Sequence, residues 1–241
     1  TAPHDPSPEC TDLIESIILE EQHLVAITNS ADLAPHAHAS GDTQVCVWRG
    51  DITRLRIDAI TNAANSALLG CFRPNHPCID NAIHCAAGPK LRAACRAAVA
   101  TQGEAPTGQC LVTSGFCLPA AFVLHTVGPI YDGTGADGPD LPMPRLLASC
   151  YTSCLDEALE SGCRSVAFCC ISTGVFGYPQ HPACRTALSA VKRWVHDHPS
   201  AMERIVFNVF TEIDEQLYLN TVPEVFESEG LELGGAADAS M

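Results

Sequence analysis

A three-layer α/β fold, a parallel or mixed sheet covered by helices, is what the sequence predicts, and three observations carry that prediction. Stretches rich in β-branched and apolar residues alternate along the chain with stretches whose apolar residues recur at helical spacing. Runs such as SVAFCCIST at 165–173 are apolar without alternation, so both faces of the strand are buried, as in sheets carrying helices on each side. The residues suited to ligands (Gly50 with Asp51, Asn62 with Asn65, and the glycine-punctuated STGVFGYP at 172–179) each follow a strand. In such sheets ligands bind at the carboxyl ends of strands.

The 241 residues suffice for one sizeable core. A formal charge of −15 and a pI near 4.9 exclude a sequence-independent grip on nucleic acid, which needs a surplus of Lys and Arg. No run of eighteen apolar residues occurs, and no basic segment followed by an apolar one opens the chain. The expectation is an intracellular, cytoplasmic, monomeric protein with no membrane segment. The chain does not open on Met, which points to a processed or trimmed N-terminus. Its 14 cysteines sit mostly inside apolar runs such as AFCCIS, where a reduced thiol behaves as a small hydrophobe.

In order, residues 1 to about 10 are Pro-rich, polar and expected to be disordered. From Thr11 to about Asn29, Leu13, Ile14, Ile17, Ile18, Leu24 and Val25 share a helical face, with Thr11 as the N-cap. Ala34 to Asp42 reads as a linker whose His36 and His38 are expected to be solvated, with metal binding as the alternative, so 1–42 forms an N-terminal helical extension. The main domain is expected at 43–222. TQVCVWRGD is its first strand and DAITNAAN its second, and a helix follows through Ala82, Ile83, Ala86, Ala87 and Leu91 toward Arg96. QCLVTSG and AFVLHTVGP form two strands joined through Leu118 and Pro119, and 131–144 is a Gly, Asp and Pro-rich loop. Arg145 to Ser161 is a helix, SVAFCCIST a strand, PACRTALSAVKRWVHDH a helix and RIVFNVFTE the last strand. Residues 223–241 read as an acidic, solvated tail.

The most distinctive stretch is GCFRPNHPCIDNAIHCAAGP at 70–89. It places Cys71, His76 and Cys78 on a loop that Gly70, Pro74 and Pro77 keep out of regular structure. Two thiolates and an imidazole select a borderline-soft divalent ion, and three protein ligands on Zn²⁺ leave a fourth position open. The spacing Cys-x4-His-x-Cys is not a standard finger, and chance proximity in a cysteine-rich chain is the competing explanation. Directly after the triplet, Asp80 and Asn81 open a helix whose N-terminal N–H groups suit an anion. The loop at 172–179 cradles a diphosphate equally well on paper, or is an ordinary turn with Phe176 and Tyr178 capping the core; it matches neither Gly-Lys-Ser/Thr nor G-x-G-x-x-G.

GDIT at Gly50 to Thr53, DAITNAANSALLG at Asp58 to Gly70, IDNAIHCAAGP at Ile79 to Pro89 and ISTGVFGYP at Ile171 to Pro179 occur in that order. Together with LHTVGPIY and VFNVFTEIDEQLY, they make the stretch from Thr43 to Val222 resemble a macrodomain of the MacroD type. Where that family has a short glycine run before the Asp, this chain has GCFRPNHPC, which resembles the zinc-containing macrodomain subgroup. The resemblance implies an α/β/α macrodomain with a mixed sheet, bound ADP-ribose, and hydrolysis of mono-ADP-ribose from modified protein, ester-linked to Asp or Glu, with one Zn²⁺ per chain. Asp51 would meet the adenine amino group beside the Ile52 backbone, with Phe210 against the base. Ser172, Thr173, Gly174 and Val175 would wrap the diphosphate, with Phe176 and Asn65 at the distal ribose. Catalysis is implied for Asp80 and Asn65, and Cys71, His76 and Cys78 would hold the zinc. Asn62 is expected to tie the strand end through its backbone, His84 to be a helix residue or a site residue, His125 to be structural and His181 to lie on the surface.

Cleavage at the anomeric carbon develops oxocarbenium character, which nearby negative charge and a positioned water favour. Zinc would orient the distal ribose or, second, activate water, since two thiolates already blunt its acidity. A reader that binds ADP-ribosylated partners without cutting them has the same binding residues. A zinc that only holds the loop is the third possibility.

Overall fold

The computed structural model describes residues 6–73, 76–133 and 142–227. The expectations for residues 1–5, Pro74, most of the loop at 131–144 and most of the tail lie outside these. The first helix, α1, is Pro8–Leu24, capped by Ser7, whose side chain accepts from Cys10 N, and started by Pro8 at its first position. Helix therefore begins before the expected Thr11 cap and inside the stretch expected to be disordered. It ends five residues short of Asn29, because Thr28–Asn29 pairs as a two-residue strand (β1) with β4 (Leu55–Arg56). The stretch expected as linker holds strand β2 (Ala37–Ala39), antiparallel to β3 (Thr43–Arg49). His36 is not merely solvated there: its Nδ1 accepts from Val47 N at 3.1 Å.

β5 (Ala59–Ala63) leads into α2 (Ile79–Ala87) and α3 (Pro89–Gln102). The sequence predicts one helix across this span. Gly88, at φ 85° and ψ 177°, cannot continue a helix, and Pro89 cannot donate back into one, so the chain restarts. β6 (Cys110–Ser114) and β7 (Phe122–Thr126) form an antiparallel pair. α4 (Pro142–Glu160), β8 (Ser165–Phe168), α5 (Gln180–Asp197), β9 (Arg204–Val209) and α6 (Glu212–Phe226) complete the order. The last helix runs through Pro223 and buries Tyr218 and Val222, so the residues just after Pro223 are structured and not yet tail.

The main sheet runs β2-β3-β9-β8-β5-β7-β6, parallel inside and antiparallel at both edges. Short crossovers through helices enforce the parallel centre, and the two hairpin-like edges make the sheet mixed. α4, α5 and α6 pack together on one face, while α2 and α3 cover the other, with α1 on α3. Both sheet faces are apolar: Val45, Ile60, Val123, Val166, Ile205 and Phe207 are fully or almost fully buried. α1 has no buried residue and is held at its edge by Glu15 to Lys90 and by Gln22 Nε2 donating to Cys117 O. Twelve of the 14 cysteines are buried or half-buried, and all are free of disulfides, in keeping with reduced thiols.

Candidate functional site

A cleft of about 480 Å³ opens at the carboxyl ends of β3, β5, β8 and β9. One part of its lining is the turn after β8. There Ser172 holds a left-handed backbone (φ 67°), a conformation that costs a non-glycine residue about 1–3 kcal/mol and concentrates at functional sites. The turn is closed by Tyr178 N donating to Ser172 O (2.9 Å) and by Gly177 N donating to Gly174 O (3.0 Å). The N–H groups of Thr173, Gly174, Val175 and Phe176 donate to nothing among the described residues. Gly174 has open space where a side chain would stand, Val175 is 73 % exposed, and the Ser172 hydroxyl is buried with no partner among the described residues. Gly128 packs so closely that a Cβ there would lie 2.0 Å from Ser172 Oγ.

At the β3 end, Asp51 caps the 3₁₀ turn Ile52–Arg54: its Oδ1 accepts from Thr53 N (2.9 Å) and Thr53 Oγ1 (2.7 Å). Asp51 and Ile52 line the cleft together with Asn208, whose Nδ2 donates to Gly50 O (2.9 Å) and so fixes the loop that carries Asp51. Phe210 is 83 % exposed at the same end, the position of a surface aromatic and not of a core one.

The loop before α2 supplies the rest. The donor atoms of Cys71, His76 and Cys78 lie within 4.8 Å of one another, with Cys71 Sγ 3.4 Å from His76 Nδ1. His76 and Cys78 line the cleft, and Cys78 Sγ also caps α2 by accepting from Asn81 N (3.4 Å). Burial pushes the Cys78 thiol up, so a thiolate there calls for a cation beside it. Two sulfurs and an imidazole nitrogen at this spacing suit a zinc ion. Arg92 pins the loop from behind, donating to Leu69 O (2.9 Å) and lying 5.0 Å over the Phe72 ring.

Asp80 and Asn65, expected at the reacting centre, stand behind the cleft lining. Asp80 is 4 % exposed, and its Oδ1 accepts from Asn62 Nδ2 (2.8 Å). Asn65 Nδ2 donates to Gly70 O (3.2 Å) and lies 3.4 Å from Asp80 Oδ2, tying strand end, loop and helix into one block. Burial raises the Asp80 carboxyl against the opposing effects of the Asn62 hydrogen bond and Arg92. His84 is buried with its Nε2 3.5 Å from Asp80 Oδ1, and burial depresses it to about 4. His125 is buried completely and depressed to about 3 for the same reason. Asn62, expected to work through its backbone, instead turns its side-chain amide onto Asp80, because the next turn of chain brings the α2 carboxylate directly over the end of β5. His181 is exposed, as expected.

Sequence reasoning missed Asn208 and Gly128 as lining residues and missed the His125 and Thr113 pair behind Asp80. Only Gly128, in a Val-Gly-Pro turn after a strand, carried a local signal. The others depend on which strands are neighbours. A second cavity of about 550 Å³ opens near the amino ends of β5 and β8, lined by Arg56, Asp58, Phe116 and Ser165. Its carboxylate is consumed by Arg164 N (2.9 Å), Ser165 N (2.9 Å) and Ser165 Oγ (2.8 Å), a structural clasp. Among the described residues no helix is long and apolar enough to cross a membrane.

Residues 61–187 match the family described as "Macro domain". A protein-ADP-ribose hydrolase of Treponema medium is 48 % identical over 217 residues, spanning 90 % of this chain and 81 % of that one. A protein-ADP-ribose hydrolase of Staphylococcus aureus is 42 % identical over 85 % of this chain and 74 % of its own length. Among solved structures, the Trypanosoma brucei macrodomain in complex with ADP-ribose superposes with a TM-score of 0.71 at 33 % identity, covering 92 % of each chain.

Proposed function

The chain belongs to the Macro domain family, and on that premise we propose that it is a zinc-dependent hydrolase releasing mono-ADP-ribose from modified protein. The hydrolase class is supported by relatives of that name at 42 to 48 % identity over most of the chain. The observation that carries zinc dependence is the convergence of Cys71 with His76 and Cys78, which line the same cleft as the four backbone N–H groups without a partner among the described residues.

In this reading the Thr173–Phe176 N–H groups and the Ser172 hydroxyl bind the diphosphate, since an anion met by preorganised amides needs no lysine. Asp51 accepts from the adenine amino group, with Ile52 and Phe210 beside the base. Phe176 holds the distal ribose toward the loop of His76 and Cys78. Zinc, when bound by Cys71, His76 and Cys78, supplies a Lewis-acid centre for the ribose hydroxyls. Asp80, buried in low dielectric behind Asn65, contributes negative charge close to the anomeric carbon, where oxocarbenium character develops as the ester bond to Asp or Glu breaks. Asn65 is fixed by Asp80 and Gly70 and keeps that wall rigid.

One observation favours a reader that binds without cutting: Asp80 and Asn65 stand behind the lining and not in it. Zinc content, calorimetric affinity for ADP-ribose and release of ADP-ribose from modified protein, measured on the same preparation, separate the readings. The hydrolase reading expects about one zinc per chain and turnover that disappears with the metal in His76→Ala. Binding without release in the zinc-loaded parent would establish the reader, and turnover intact after chelation would reduce zinc to a structural role.

A further inference from the structure

Behind Asp80 lies a line of buried polar groups to which no role in the reaction has been given. Asn62, His125 and Thr113 belong to three neighbouring strands, β5, β7 and β6, whose register sets Asn62 opposite His125 and Leu111 opposite His125 from the other side. Asn62 and His125 are fully buried and Thr113 nearly so. Asp80 Oδ1 is 2.8 Å from Asn62 Nδ2, Asn62 Nδ2 is 3.1 Å from His125 Nδ1, and His125 Nε2 is 2.9 Å from Thr113 Oγ1.

The chemistry of these atoms fixes the direction of each bond. A carboxylate only accepts, so Asn62 must present its NH₂ to Asp80. The second hydrogen of that NH₂ points at His125 Nδ1, which must therefore carry a lone pair. A neutral imidazole with a bare Nδ1 has its proton on Nε2, and that proton meets Thr113 Oγ1 at 2.9 Å or Cys95 Sγ at 3.7 Å. The reversed amide would set Asn62 Oδ1 against the Asp80 oxygen, two acceptors face to face. In this orientation Asn62 Oδ1 has no partner among the described residues, a cost borne for the sake of the two donated bonds.

We infer that His125, through its Nε2–H tautomer, and Asn62 are positioning residues that fix the Asp80 carboxylate for the reaction, with Thr113 holding the tautomer. This rests on the hydrolase reading above. His125 and Asn62 do not line the cleft, so the relay acts on turnover and not on ligand affinity. Burial keeps His125 neutral across the working pH range, which the relay requires.

The nitrogen NMR signature of His125 in the zinc-loaded parent protein at neutral pH tests the tautomer without any substitution. A bare Nδ1 and a protonated Nε2 are expected. A proton on Nδ1, or on both nitrogens, overturns the inference. For the kinetic half, His125→Leu and His125→Asn have nearly equal size, but only Asn keeps an acceptor near the Nδ1 position. Loss of the hydrogen bond in His125→Leu is expected to lower kcat about tenfold, with ADP-ribose affinity unchanged and most of kcat regained in His125→Asn. Parent-like kcat in His125→Leu, or equal loss of kcat and of affinity in both variants, would mean that His125 only holds the core. A zinc-loaded parent without turnover would instead remove the hydrolase reading, while the NMR signature still decides the tautomer by itself.

Discussion

The turn Ser172–Phe176 and the segment Cys71–Asp80 line or back the same cleft and are made of different material. The turn offers backbone: four N–H groups without a partner among the described residues, carried by Gly174, exposed Val175 and half-buried Thr173 and Phe176. The segment offers side chains: two thiols, an imidazole and, behind them, a carboxylate held by Asn62 and Asn65. A backbone site tolerates changes of side chain and fails when the chain path moves. A side-chain site fails when one donor is removed and leaves the path intact. If this contrast is right, substitutions on the two parts should separate binding from turnover.

The largest effect is expected at Asp80. Asp80→Ala should lower turnover by about a hundredfold or more, the scale of a positioned acidic group, while calorimetric affinity for ADP-ribose stays close to the parent's. Loss of affinity equal to the loss of rate would place Asp80 in ground-state binding and erase the contrast.

The side-chain part also carries a pH dependence that the backbone part lacks. His84 has an ordinary value of 6.5 and is depressed by burial to about 4 in the fold. As pH falls through 6.5 the unfolded chain takes up a proton that folded His84 refuses, so stability is lost from pH 6.5 down to about 4. For His84 alone the loss is on the order of 3 kcal/mol, and His125, depressed to about 3, adds to it in the same direction. Urea midpoints should fall between pH 6.5 and 4.5; a flat midpoint would show that these imidazoles titrate normally.

On the backbone part, Gly128→Ala would push a methyl into Ser172 Oγ at 2.0 Å and displace the turn. Affinity should drop about tenfold, the lower end of what overpacking costs, with zinc content unchanged. The smallest effect belongs to Val175→Ala. Its side chain points to solvent and its N–H is kept, so affinity should stay within about twofold. A large loss there would mean that the turn binds through side chains after all.

Much of this was legible from the chain alone. The uninterrupted apolar run at 165–173 could only be a strand covered on both faces, and the glycine-punctuated turn after it could only sit at the carboxyl edge, because strand direction and crossover handedness leave no other place. The Cys71, His76 and Cys78 triplet was visible because its members are close in sequence, where loop length alone limits their separation. The break at Gly88 was in principle visible too, since Gly-Pro stops a helix, but the apolar spacing on either side concealed it. What the sequence could not supply was sheet order. Asn62, Thr113 and His125 look like ordinary strand residues until β5, β7 and β6 are laid side by side, and only then does a hydrogen-bonded line lead to Asp80. The depression of His84 and His125 has the same origin, because desolvation depends on what packs over a side chain. Local spacing thus determined most of the strands and helices, though not β1, β2, the restart at Pro89 or the last helix, and it set Cys71, His76 and Cys78 close together; tertiary packing alone decided which buried polar groups meet, since those meetings are made across strands far apart in the chain.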